Sequence, residues 1–145
     1  MRHPVTISIT IATSFVLTAC ELFVIGSSAP RPQVIERSQR TSMGVTHLFK
    51  AELDSNNTTA ATELMVHSSG RKLLAVEKYE LADEMARWQK LMAGKPITKT
   101  IADTLADNRH RVVITLDYIR SFSITTLSID DAWFVTRIED TPTPR

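Results

Sequence analysis

Val112-Val113-Ile114-Thr115-Leu116-Asp117-Tyr118-Ile119 changes the rhythm of the chain from a helical spacing to alternation. Val112, Ile114, Leu116 and Tyr118 fall on one side, and Val113, Thr115, Asp117 and Ile119 on the other. That period of two belongs to a strand with one face on a core. Residues 122–129 and 133–138 read as two further strands. Arg120-Ser121 and Asp130-Asp131 between them are of hairpin length, which predicts an antiparallel meander. Ahead of it, Ile97, Ile101 and Leu105 fit a helical spacing of four as well as a strand; Asp107-Asn108-Arg109 makes a turn into the next strand, so residues 97–105 are read as the first strand.

Upstream the periodicity is helical. Val45, Leu48, Phe49 and Leu53 predict an amphipathic helix over residues 42–54, ended by Asp54-Ser55-Asn56-Asn57. Asn57 or Thr58 can cap a second helix through residues 59–65, which Ser68-Ser69-Gly70 terminates. The third and longest is expected over residues 71–93, with Leu74, Leu81, Met85, Trp88 and Met92 as its apolar stripe and Glu77, Glu80, Asp83, Glu84 and Arg87 off it. Gly94 followed by Pro96 stops it. Helices first and sheet afterwards specify α+β, with the long helix expected across one face of a curved sheet.

At the other end, Arg2 and His3 precede an uncharged, largely apolar run from Val5 to Leu17, then the small residues Thr18-Ala19 and the sole cysteine, Cys20. Leu17-Thr18-Ala19-Cys20 resembles the lipobox of bacterial lipoproteins, in which the cysteine sulfur takes a diacylglyceryl group before cleavage and the new amino terminus is then acylated. The resemblance implies a signal peptide over 1–19 and a lipidated Cys20; the serines and prolines after Gly26 read as a tether to residue 37, and Pro142 and Pro144 as a frayed tail over 141–145, which leaves the domain over 38–140. Two or three acyl chains anchor stably, since each buried methylene contributes about 0.8 kcal/mol. Glu21-Leu22-Phe23-Val24-Ile25 is more apolar than the usual polar tether, so an uncleaved signal anchor over 4–26, interrupted by Glu21, is the rival. The expected location is the cell envelope, facing the periplasm or exterior, with the outer membrane favoured where the cell has one.

Composition excludes several function classes. One cysteine cannot form an internal disulfide. With 17 Lys+Arg against 16 Asp+Glu, and Arg2 lost with the leader, the mature chain is close to neutral, which removes the electrostatic basis for nucleic-acid binding. Its 4 glycines form no phosphate-cradling loop, and no Gly-x-Ser-x-Gly elbow occurs. His47, His67 and His110 are isolated from one another, without a His-x-x-x-His or Cys pair, so neither metal nor cofactor is expected.

Two phrases carry a second resemblance: Leu48-Phe49-Lys50-Ala51-Glu52-Leu53-Asp54-Ser55-Asn56-Asn57 with Ala60 and Ala61 after it, and Ile129-Asp130-Asp131-Ala132-Trp133-Phe134-Val135. Together with the element order they resemble the nuclear transport factor 2-like superfamily, and within it small lipoproteins of unassigned function. Asp131-Ala132 stands where that family often has an acidic residue and glycine, which leaves the turn type open. The resemblance implies a cone: a bent sheet wrapped on helices with a cavity at its wider end. Enzymes of the superfamily place carboxylates, histidine or tyrosine there, binding modules leave the cavity apolar, and many members dimerise through the outer sheet face. None of their catalytic motifs maps onto this chain residue by residue.

The remaining candidates come from the residues themselves. Asp103 shares a strand face with Ile101 and Leu105, where burial would raise its pKa, and with Asp117 across the ladder it could form an acid/base couple; solvated carboxylates are the plain alternative. His47 beside the first apolar stripe and His67 at the end of the second helix are possible proton shuttles, or ordinary surface and helix-end residues. Trp88, Tyr118, Trp133 and Phe134 could line an apolar pocket or simply pack the core. Two functions follow: a membrane-anchored binding module for an envelope protein, a second copy or a small apolar ligand; or a cone-fold hydrolase, isomerase or dehydratase using Asp103, Asp117 or a histidine.

Overall fold

Thr41 starts the first helix, α1 (Ser42–Asp54): its backbone is extended and its hydroxyl accepts from the Gly44 amide at 2.9 Å. The computed structural model describes residues 34–141; the expected leader, Cys20, most of the tether and the last four residues lie outside them. Residues 36–38 cross the first turn of α1 at backbone distance, since a Cβ on Gly44 would lie 2.6 Å from the Ser38 carbonyl oxygen and 2.8 Å from that of Glu36. Val45, Phe49 and Leu53, spaced four apart, form the fully buried ridge of the helix. Asn56, at φ 61°, turns the chain, and the Asn57 side chain accepts from the Ala60 amide to cap α2 (Thr58–Glu63).

The single long helix expected over 71–93 is not formed. Residues 71–74 are non-helical: Lys72 makes an antiparallel bridge with Val66, and the His67 N–H donates to the Arg71 carbonyl at 3.0 Å around Gly70, whose φ is 89°. Helix begins only at α3 (Ala75–Glu80), where the Glu77 carboxylate accepts from both the Leu74 amide and the Arg71 guanidinium. Those contacts hold the Glu77 carboxyl down at about 2, the Arg71 bond being the larger cause and the Leu74 amide the next. At Leu81 the chain passes through ψ −10° into α4 (Ala82–Met92). Burial explains the split: α3 buries nothing and leaves Leu74, Val76 and Tyr79 exposed, whereas α4 buries Met85, Trp88 and Met92. Gly94, at φ 72°, ends α4 as expected.

Four strands follow, β1 (Ile97–Ala106), β2 (Arg109–Leu116), β3 (Arg120–Ile129) and β4 (Ala132–Thr141), paired antiparallel in the order β1-β2-β3-β4. The fold is α+β with an open antiparallel sheet. The β2–β3 turn lies earlier than Arg120-Ser121: Leu116 pairs with Arg120, and Asp117 and Tyr118 carry the positive φ values of 51° and 61°. Tyr118 and Ile119 therefore leave the strand, 82% and 77% exposed. Asp130 and Asp131 sit between the paired Ile129 and Ala132 at φ 48° and 62°, the two-residue geometry whose twist suits a hairpin. β4 runs past residue 138 to Thr141, which pairs with Ser121.

The inner sheet face supplies Val112, Ile114, Leu116, Phe122, Ile124, Val135 and Ile138 to one core shared with α1 and α4. It is α1, rather than the later helix, that touches all four strands. α2 and α4 lie against α1, and α4 reaches the sheet through Trp88, whose ring meets Phe122 edge-on at 6.0 Å and 87°.

Candidate functional site

His47, Lys50 and Asp54 lie three and four residues apart, so one flank of α1 carries all three beside its buried ridge. The flank faces the link from α4 into β1, where Gly94 ends the helix and Lys95, Pro96 and Ile97 pass alongside, while Arg37 arrives from the segment preceding α1. Between them is a pocket of about 290 Å³ lined by Arg37, His47, Lys50, Asp54, Lys95 and Ile97 among others.

The polar atoms of this pocket are held in place. Lys50 is only 3% exposed, and its Nζ donates to Asp54 Oδ1 at 2.5 Å. The same Asp54 oxygen accepts from the Gly94 amide at 2.8 Å, tying the end of α1 to the end of α4. Lys95 Nζ donates to the Leu91 carbonyl at 2.7 Å, and His47 Nε2 is hydrogen-bonded to Thr100 Oγ1 on β1 at 2.9 Å. Burial holds the His47 pKa below 6.5, and the nearby Arg37 charge lowers it further. The imidazole is therefore neutral at pH 7, and the pocket combines three basic side chains, one neutral ring and a single carboxylate.

The His47 shift carries a pH dependence. Below pH 6.5 the unfolded chain takes up a proton that the folded imidazole resists, so this contribution to stability is complete above 6.5 and is lost as pH falls through the depressed folded value. Urea melts from pH 7.5 down to 5 should show His47→Gln losing less stability than the parent; parallel losses would refute the assignment.

The other candidates do not join this pocket. Thr100 and Ala102 face α1 and the core, so Ile101, Asp103 and Leu105 point to the outer sheet face; Asp103 is exposed opposite Arg111. Asp117 lies in the β2–β3 turn, its amide donating to the Pro96 carbonyl at 3.1 Å. That end of the ladder is where Ile97 pairs with Leu116, roughly 20 Å along β1 from Asp103 at ~3.3 Å per residue. The two carboxylates form no couple. His67 is exposed and bonded to Ser69 at 2.8 Å. His110 stacks on Trp133 at 4.4 Å and hydrogen-bonds the buried Ser42 at 2.8 Å.

Nor do the aromatic candidates converge. Trp88 belongs to the core, with its indole N–H donating to Glu84 at 3.2 Å, and Tyr118 stands in an exposed turn. Half-buried Trp133 fastens the segment before α1: its amide donates to the Gln39 carbonyl at 2.7 Å, and Gln39 Nε2 donates to the Trp133 carbonyl. Phe134 borders a separate pocket of about 200 Å³ with Met65, Val66 and Lys72.

Lys50, Asp54, Arg37 and Lys95 were not expected as site residues. The Lys50 to Asp54 spacing is a local signal that could have marked the first two, whereas Arg37, assigned to the tether, and Lys95 carry none. Among the described residues no group of three or more His, Cys, Asp or Glu side chains is arranged to hold a metal ion, and no helix is long and apolar enough to cross a membrane. No protein family, curated protein or solved structure matches the chain.

Proposed function

We propose that the chain is an envelope lipoprotein, lipidated at Cys20, whose α+β domain is a small nuclear transport factor 2-like cone serving as a binding module for a ligand or envelope partner. Support for anchoring comes from Leu17-Thr18-Ala19-Cys20 after its apolar run. Support for binding over catalysis rests on one observation: the single carboxylate gathered with the cations at the end of α1 is already engaged with protein atoms. The Asp54 carboxylate is neutralised by Lys50 and fixed by the Gly94 amide, so the pocket's one carboxylate is already paired within the protein. Cations arranged around a fixed carboxylate attract a ligand of opposite charge.

Expression of the full chain in a bacterium fed an alkyne-tagged fatty acid tests the anchor. Parent protein should incorporate the tag, lose residues 1–19 and sediment with membranes, and Cys20→Ser should do none of these. Membrane association with the leader retained and no tag would replace the lipid with an uncleaved anchor over residues 4–26.

A further inference from the structure

We infer that the pocket at the end of α1 binds a small oxyanion, a carboxylate or phosphate monoester, held between Arg37, Lys50 and Lys95. The inference deepens the binding-module reading and rests on it, but it is independent of whether Cys20 is lipidated.

Charge distribution is the first argument. The whole chain is close to neutral, with 17 Lys+Arg against 16 Asp+Glu, so a place where three cations face one carboxylate is not a sample of a generally basic surface. That carboxylate is already used, since Asp54 accepts from Lys50 and from the Gly94 amide. The positive charges of Arg37 and Lys95 are then unbalanced: among the described residues Lys95 Nζ bonds only a neutral carbonyl and Arg37 has no carboxylate partner. Their excess is what an anion would neutralise.

Lys50 is the second argument. An ammonium group on an exposed helix ordinarily reaches for water, and taking it out of water costs several kcal/mol unless it is paired. Here the residue is 3% exposed, and its charge is held at the pocket wall by one short bond to Asp54. An ammonium has three donors and the bond to Asp54 uses one, so Lys50 can give a further hydrogen bond to an oxyanion. Arg37 complements it, because a planar guanidinium donates two parallel hydrogen bonds to a carboxylate or phosphate. The neutral His47 ring beside them adds no competing negative charge.

Size limits the ligand. At about 290 Å³ the pocket stands at the lower end of small-molecule sites, which run from roughly 300 to 1,000 Å³. It suits a small acid or a phosphorylated head group.

The test is an amide NMR titration of the full chain in zwitterionic micelles, with inorganic phosphate and succinate as probes and sodium chloride of equal ionic strength as the reference. Saturable shifts concentrated at residues 47–54 and 94–97, present with phosphate or succinate and absent with chloride, are expected. Arg37→Gln and Lys95→Gln should each weaken binding about tenfold, as loss of a charge-assisted hydrogen bond does, while Arg137→Gln on β4 leaves it unchanged. The urea midpoint of each variant shows that it remains folded. A small admixture of phosphatidic acid that reproduces the phosphate shifts would assign the oxyanion to a lipid head group; shifts with the soluble probes alone would assign it to a free metabolite. Absence of saturable shifts at tens of millimolar probe, or unchanged affinity in both Arg37→Gln and Lys95→Gln, would overturn the inference. Neither result would bear on the fatty-acid label at Cys20, so the two readings fail separately.

Discussion

Phe49→Ala should cost the domain about 3–5 kcal/mol of unfolding free energy, the largest effect expected of any single substitution considered for this chain. Phe49 is 0% exposed and lies midway along the buried ridge of α1, which touches all four strands. Deleting its ring removes buried apolar surface and leaves a hole among Val45, Leu53 and the sheet residues, which the helix cannot close because both its ends are fixed. Thr41 caps the start against Gly44, and Asp54 is bound to Gly94 at the finish. Domains of this size are stable by about 5–15 kcal/mol, so the variant should melt far below the parent and sit near its unfolding threshold at 37 °C. A urea titration with an unchanged slope and a much lower midpoint is the expected record. A loss under about 1 kcal/mol would mean that α1 is not the central element of the core.

Asp54→Ala should be the next most damaging, at about 2–3 kcal/mol. Removing the carboxylate strands the Lys50 ammonium, whose side chain is 4% exposed, and deprives the Gly94 amide of its acceptor. Breaking a fully buried pair costs about 3–5 kcal/mol; the Asp54 side chain is 39% exposed, so water can replace part of what it gave. The charge argument makes a sharper claim through the double variant. Lys50→Met keeps the apolar stem without the charge, so Lys50→Met in the Asp54→Ala background should recover part of the loss. Equal stability of the single Asp54→Ala chain and the double variant would show that the stranded charge is not the cause. The combination also separates stability from ligand binding, because Lys50→Met removes a donor that the oxyanion pocket needs while leaving the fold intact.

Local signals in the chain were enough for much of this architecture. Four apolar residues at helical spacing, closed by Asp54-Ser55-Asn56-Asn57, placed α1 over Ser42–Asp54, since a side-chain cap and a chain-turning break act within a few residues. Alternation after Pro96 gave an antiparallel sheet for the same reason: the strand period of two is written residue by residue. The failures occurred where a distant partner intervened. Leu74 fits the stripe of a long helix, yet Arg71 and Lys72 are engaged by His67 and Val66, and no local pattern announces that bridge. Alternation likewise ran on through Tyr118 and Ile119, but Thr115 pairs with Ser121 and Arg120 binds Asp140, and that cross-strand register places the turn at Asp117 and Tyr118.

The candidate site divides in the same way. Lys50 and Asp54 are an i, i+4 pair, visible in the chain because one turn of helix brings them together. Whether that pair would stand in solvent or wall a pocket depended on Arg37 and Lys95, brought to α1 from the preceding segment and from the link between α4 and β1. Strand parity could put Asp103 and Asp117 on the same side of an alternating pattern, but only the ladder register sets them at opposite ends of β1. Element type, the α1 limits and the near-neutral charge follow from interactions within a few residues or from composition alone, whereas α2 runs over Thr58–Glu63 and not 59–65. The pocket, the buried ammonium and the separation of the two aspartates depend on contacts between segments far apart in the chain, whose geometry exists only once the core has closed.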